Sequence, residues 1–170
     1  QTGMVDYEPA HVDFIRSYKP VHIPSEDVIR KAANLINNSV KPLALVGQGV
    51  ELGEAREELR AFLEKAQIPA GCTLLGLSAL PSDHPLNMGM LGMHGNLGPN
   101  VMTNQCDLLI AIGMRFDDRV TGKLETYAKQ AHVIHFDIDP SEIDKNVKVD
   151  VAVVGNCKET LKRVGDLLEP

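Results

Sequence analysis

Several short apolar runs in this chain end in residues suited to a phosphorylated, hydroxyl-rich ligand. Leu43-Ala44-Leu45-Val46 gives way to Gly47-Gln48-Gly49, with Gly53 beyond, and the run ending at Cys72 leads into Thr73-Leu74-Leu75-Gly76. Leu108 to Ile112 is followed by Gly113-Met114-Arg115-Phe116-Asp117-Asp118-Arg119, and residues 132–137 end at Asp137-Ile138-Asp139. A last run ends at Gly155-Asn156-Cys157. Glycine lets a backbone come close to a pyrophosphate, and a guanidinium offers a planar fork of donors to phosphate oxygens. A carboxylate accepts hydrogen bonds from ribose hydroxyls, so together these groups suit a dinucleotide.

Each group also has a plainer reading. Gly47, Gly49 and Gly53 are spaced G-x-G-x-x-x-G and not G-x-G-x-x-G, so a tight strand-to-helix turn without a ligand stands beside the pyrophosphate reading. Arg115 points to phosphate because it sits just past a strand, against a surface ion pair with Asp117 or Asp118 worth about 0–1 kcal/mol. Residues alternate faces along a strand, so His135 and Asp137 share one face while Ile134, Phe136 and Ile138 share the other. Asp137 then lies at the strand tip, where it can hold ribose. Asp139 precedes Pro140 and Glu142 and reads as a helix N-cap. Met88, Met90 and Met93, with Leu91, Gly92 and His94, form a polarizable loop able to line a flat ring or simply to fill the core. His132 and His135 fall on opposite strand faces and make a poor metal pair. The sequence contains no nucleophile elbow or P-loop, so neither a catalytic residue nor a metal site is assigned to this chain.

The elements that must position these groups follow from periodicity. Ser25 caps a helix carrying Val28, Ala32, Leu35 and Ile36 up to Asn37-Asn38. Ala55, Leu59, Phe62, Leu63 and Ala66 mark an amphipathic helix over 54–66, and Ile68 to Cys72 a second strand. Residues 73–96 read as one long functional loop. A helix over 96–105 follows, then strands at 108–112, 132–137 and 149–154, and a helix over 158–168 with Leu161, Val164, Leu167 and Leu168 on one side. Buried strands alternating with helices predict a three-layer α/β fold, a doubly wound, Rossmann-like parallel sheet. Residues 1–24 carry Pro9, Pro20 and Pro24 without a period and read as a linker from a preceding domain, leaving 25–170 as a single domain.

With 170 residues, 44% hydrophobic, the chain can bury one core. A net charge of −6 without a basic run leaves no footprint for nucleic acid or an anionic membrane. No apolar stretch reaches the ~20 residues of a membrane span, and the opening residues lack a secretory h-region. The three scattered cysteines suggest neither a disulfide framework nor a zinc site, so a reducing cytoplasm is expected.

Three stretches carry a more specific signal. Leu91-Gly92-Met93-His94-Gly95, the run from Gly113 to Lys123 containing R-F-D-D-R-V-T-G, and His135-Phe136-Asp137-Ile138-Asp139 occur in that order. In order and spacing they resemble the middle domain of the acetolactate synthase (acetohydroxyacid synthase) catalytic subunits, which are thiamine-diphosphate enzymes. The resemblance runs from about Ser17-Tyr18 to the C-terminus. It implies a domain of the NAD/FAD-binding type that holds FAD in an extended form. Matching positions place Gly47 and Gly49 near the dinucleotide, Thr73 and Leu74 near the flavin, and Leu91, Gly92, Met93 and His94 in a flavin and ribityl loop. Gly113, Met114, Arg115, Phe116 and Asp117 match a phosphate-binding segment, and Asp118 and Arg119 the adjoining pair beside the substrate channel. Asp137 and Ile138 match the ribose contact, and Asn156 and Cys157 the adenine side. Gln48 stands where family members often have glycine, and Asn156 where an acidic residue is common.

The resemblance further implies a whole enzyme that joins two pyruvates, or pyruvate and 2-oxobutyrate, for branched-chain amino-acid synthesis. Thiamine diphosphate and Mg2+ would be held by flanking domains of the same chain, in a homo-oligomer with a regulatory small subunit. The present chain lacks the G-D-G…N-N type diphosphate motif and is expected to be inactive alone. A pyruvate-oxidase-like flavoenzyme domain and a free-standing nucleotide-binding module are the alternatives. The R-F-D-D-R string argues against the first and the opening linker against the second.

Overall fold

The computed structural model describes residues 22–170, so nearly all of the expected linker lies outside the described residues. From Ser25 the chain forms α1 (Glu26–Asn37), β1 (Pro42–Val46), the one-turn α2 (Gly49–Leu52), α3 (Arg56–Lys65) and β2 (Ala70–Cys72). It continues through β3 (Asn87–Met90), α4 (Leu97–Thr103), β4 (Leu108–Ile112) and the one-turn α5 (Asp118–Thr121). β5 (His132–Asp137), β6 (Val151–Val154) and α6 (Cys157–Asp166) complete it. The strands form one six-stranded sheet in the order β3-β2-β1-β4-β5-β6, all pairs parallel. This is the expected doubly wound α/β arrangement.

Strands covered on both faces need apolar residues at every position, and β1 and β4 supply them. Ala44 and Val46 join Ile110 and Ile112 on the face covered by Ile29 of α1, Leu59 and Phe62 of α3, and Leu161 of α6. Leu43 and Leu45 join Leu109 and Ala111 on the opposite face, with Leu91, Phe116 and Tyr127. Phe62 meets Phe136 edge-on, ring centroids 6.1 Å apart, which ties α3 to β5. The two faces differ in kind: α1, α3 and α6 cover the first, whereas α4 and the turns between Gly122 and Ala131 cover much of the second.

Departures from the periodicity reading have local causes. The helix expected from Glu54 begins at Arg56, because Glu54 takes a left-handed φ of 51° and a separate turn, α2, uses Gly49 to Leu52. The stretch read as a loop over 73–96 contains the edge strand β3, whose Asn87 and whose Gly89 at φ 91° disguise it. Its pairing with β2 shifts register between Ala70 and Gly71. The last strand starts at Val151, since the backbone N–H of Val149 is taken by the Asp144 carboxylate. α6 stops at Asp166, which leaves Leu167 exposed while Leu168 turns into the core.

Candidate functional site

After β3 the chain crosses back to the far side of β1, so the winding direction reverses between β1 and β4. The carboxyl ends of two such neighbouring strands part their loops and open a crevice, the usual ligand position in this architecture. A cleft of about 660 Å3 occupies that position, inside the roughly 300–1,000 Å3 of small-molecule sites. It receives the exits of β1, β2, β4 and β5 together with residues just before α6.

At its floor the β1 and β4 turns are pressed together. A Cβ on Gly47 would lie 2.3 Å from the Gly113 carbonyl oxygen, and one on Gly49 2.6 Å from the Gly113 Cα. Gly113 itself has φ 57°, a left-handed conformation. The backbone N–H of Gly47 donates to Ile112 O at 2.9 Å and that of Gly49 to Gly113 O at 2.8 Å. These glycines are therefore required by turn-on-turn packing, and their amides serve the fold. The plainer reading of the glycine spacing accounts for its geometry.

The β4 exit carries groups suited to an anion. Among the described residues the backbone N–H groups of Met114 and Arg115 donate to no acceptor. The Arg115 side chain is largely exposed on the cleft, its Nε 3.6 Å from Asp117 Oδ2, so guanidinium and unpaired amides gather at one strand end. Asp117 also caps α5, its Oδ1 accepting from Val120 N at 3.2 Å. Arg119 and Val120 line the cleft, whereas Asp118 is exposed and outside it. The Phe116 side chain turns into the core, edge-on to Tyr127 and to His135 at centroid distances of 6.2 and 5.2 Å.

Asp137 stands at the tip of β5 with Ile138 beside it, both on the cleft. Its Oδ1 accepts from Asp139 N at 2.8 Å, and Oδ2 lies 3.5 Å from His135 Nε2. Arg115 and Asp137 thus share one crevice. Asp139 accepts from Ser141 N at 2.8 Å and caps a short 3-10 turn, as its sequence context suggested. The Ser141 side chain, and after it this backbone bond, hold the carboxyl below the ordinary value.

The loop after β3 closes the opposite wall. Gly92 takes φ 97°, and a Cβ there would meet Arg119 O at 2.7 Å. Its peptide groups are clasped by Asn100, whose Oδ1 accepts from Gly92 N at 2.8 Å while Nδ2 donates to Gly92 O at 2.9 Å. Met93 N donates to Arg119 O at 2.7 Å and bridges the two loops. Gly92 is thereby buried beneath the wall, and Leu91, Met93 and His94 line it. Thr73, Leu74 and Leu75 flank them at the β2 exit. Leu74 is 69% exposed, Leu75 61% and Met93 66%, an apolar rim of the type that accepts a flat ring.

At the far end, Asn156 caps α6 by accepting from Lys158 N at 2.8 Å, and it lines the cleft with Cys157. Burial, with the nearby Asp137 charge, pushes the Cys157 thiol up to about 12, so it is no nucleophile at neutral pH.

Residues not singled out as contacts by their types also line the cleft: Gln48, Leu52, Leu75, Val120 and Glu142. Leu52 and Leu75 carry a readable signal, being apolar side chains in turns with no core face to fill. The clasp by Asn100 carries none, because an asparagine inside a helical period gives no sign of its partner. Among the described residues no cluster of His, Cys, Asp and Glu forms a metal site, and no helix is long and apolar enough to cross a membrane.

Residues 29–164 match the family model described as the thiamine pyrophosphate enzyme central domain. A probable acetolactate synthase large subunit from Methanocaldococcus jannaschii is 46% identical over 166 residues, covering 95% of this chain and 28% of that protein. An acetolactate synthase large subunit from Corynebacterium glutamicum is 45% identical over 166 residues, 94% of this chain and 26% of its own. An acetolactate synthase from Mycobacterium bovis is 49% identical over 144 residues, 85% of this chain and 23% of that one. The chain therefore spans about a quarter of the length of these curated relatives.

Proposed function

The chain belongs to the thiamine pyrophosphate enzyme family as a central domain, and from that premise we propose that it is the FAD-binding domain of an acetolactate synthase catalytic subunit. The whole enzyme would join two pyruvates, or pyruvate and 2-oxobutyrate, in the cytoplasm. Flanking domains would hold thiamine diphosphate and Mg2+, and the assembly would be a homo-oligomer with a regulatory small subunit.

The convergence of Arg115, the free Met114 and Arg115 amides and Asp137 at the β1/β4 reversal carries this reading. The donor set fits the cofactor end to end. Arg115 and its amides would take the diphosphate, and Asp137 with Ile138 the ribose beside it. Gly47, Gly49 and Gly113 give the turn that opens the cleft, and Asn156 with Cys157 would border the adenine. Leu74, Thr73, Leu91, Met93 and His94 would flank the isoalloxazine, with Gly92 shaping their loop. Phe116 would act from the core by fixing the phosphate segment, and Asp118 with Arg119 would border the substrate channel. A bound flavin would supply no net redox step in this carboligation. The domain's own work is to bind and orient.

FAD titration of the purified chain tests the reading, with saturable one-to-one binding expected. A folded chain that shows no saturable binding of FAD or ADP at millimolar ligand would end it. Incubated with thiamine diphosphate, Mg2+ and pyruvate, the chain alone should form no acetolactate.

A further inference from the structure

We propose that His135 is a positioning residue for the anion-binding end of the cleft, orienting the Met114–Arg115 peptide through one ring nitrogen. The inference rests on the dinucleotide reading above.

His135 lies in the middle of β5 with no exposed surface, in an apolar layer where a leucine would fill the space. Its register neighbours on β4 and β6 are Ala111 and Ala152, whose small side chains leave room for the ring. Nε2 faces the acceptor Met114 O at 2.8 Å, so it carries a proton, and Asp137 Oδ2 lies nearby at 3.5 Å. Nδ1 has no partner among the described residues. A buried ring left half-satisfied weakens the fold relative to an apolar one, so its presence points to what the satisfied nitrogen holds.

What it holds is a peptide plane. In a trans peptide the carbonyl oxygen and the following N–H point in opposite directions. No cis peptide bond occurs among the described residues. Drawing Met114 O toward the core therefore turns the Arg115 N–H away from the core, at the strand exit where that amide has no acceptor. The same Nε2 lies beside Asp137, whose other oxygen is fixed by Asp139 N. One buried nitrogen thus holds the peptide assigned to the diphosphate and lies beside the carboxylate assigned to the ribose. Phe116, edge-on to the ring, keeps the imidazole in place.

The test compares His135→Leu, His135→Asn and His135→Gln with the unaltered chain and Arg115→Ala, using ADP and FAD as ligands well below every melting midpoint. Gln carries an N–H at about the reach of Nε2, whereas Asn reaches no further than Nδ1. Leu and Asn should weaken ADP and FAD binding about tenfold, and Gln should stay within about threefold of the unaltered chain. Without ligand, hydrogen exchange at the Arg115 amide should change in the Leu and Asn variants and not in Gln. Should Leu fail to fold, the Asn and Gln pair decides. A purely structural role would make binding follow melting temperature and not the reach of the donor, which would overturn the proposal. If the unaltered chain binds and Arg115→Ala weakens it while Leu and Asn do not, this inference alone falls. If the unaltered chain binds neither ligand, the dinucleotide reading falls and takes the inference with it.

Discussion

Replacing Arg115 by alanine separates recognition from folding more cleanly than any other change in the cleft. The guanidinium is exposed and its one ionic contact among the described residues is Asp117 at 3.6 Å, so its loss should move stability by no more than about 0.5 kcal/mol. For binding, a hydrogen bond to a charged group contributes about 1.5–3 kcal/mol. Releasing Asp117 costs about 0–1 kcal/mol of that gain. A net loss of about 0.5–3 kcal/mol follows, a rise in Kd of about 2- to 150-fold. Calorimetric titration with FAD and with ADP should give the same loss, because both carry the diphosphate. The loss should shrink at high salt. Arg115→Lys should recover part of it, since an ammonium keeps the charge and forfeits the bidentate fork. Arg60→Ala, an exposed arginine on α3 away from the cleft, is the control. Equal Kd for the unaltered chain and Arg115→Ala, or an equal loss in Arg60→Ala, would refute the phosphate assignment.

Three further outcomes are expected. Gly92→Ala should cost about 1–3 kcal/mol, because φ is 97° and the new Cβ would strike Arg119 O; thermal melting measures the cost, and faster amide exchange at Met93 would locate it. Burial works against ionisation of Asp150, but the Val133 N–H at 2.8 Å and the His132 ring at 3.1 Å outweigh it and hold the carboxyl below its usual value. A depressed native value means stability that is present above about pH 4 and lost as pH falls through the native value. Asp150→Asn should therefore flatten the acid limb of stability in denaturant melts, by less than about 1 kcal/mol for so exposed a group. Burial pushes the Cys72 and Cys106 thiols up to about 11 and Cys157 to about 12, so a disulfide reagent should modify all three at least about a hundredfold more slowly in the native chain than in denaturant.

How much of this was legible in the sequence depended on whether a residue's neighbours were themselves sequential. The bounds of β4 and β5 could be read directly, because residues 108–112 and 133–136 are buried on both faces and all but His135 are apolar, while exposed His132 and half-buried Asp137 mark the ends of β5. The β3 edge could not be read: one side of its ladder is unpaired and its strand conformation comes from β2, not from the propensities of Asn87, Gly89 or the methionines. Arg115 and Asp137 were legible as site candidates because they end apolar runs. Phe116 was placed in the same segment by resemblance, yet its side chain points into the second core layer, a direction that depends on Tyr127 and His135.

The glycines show how one residue type can answer to two demands. G-x-G after a strand suggests an open backbone waiting for phosphate, yet the Gly47 and Gly49 amides are consumed by the β4 exit and their missing side chains make room for Gly113. It follows that substitutions here should act through the fold: Gly47→Ala would drive a Cβ to 2.3 Å from a backbone oxygen and separate β1 from β4. The Gln48 amide between the two glycines donates to no acceptor among the described residues, and the Met114 and Arg115 amides are likewise spare one turn further on. The cleft floor is thus shaped by how tightly two turns pack, Met114 included, while Arg115 and Asp137 stand on the cleft outside that contact.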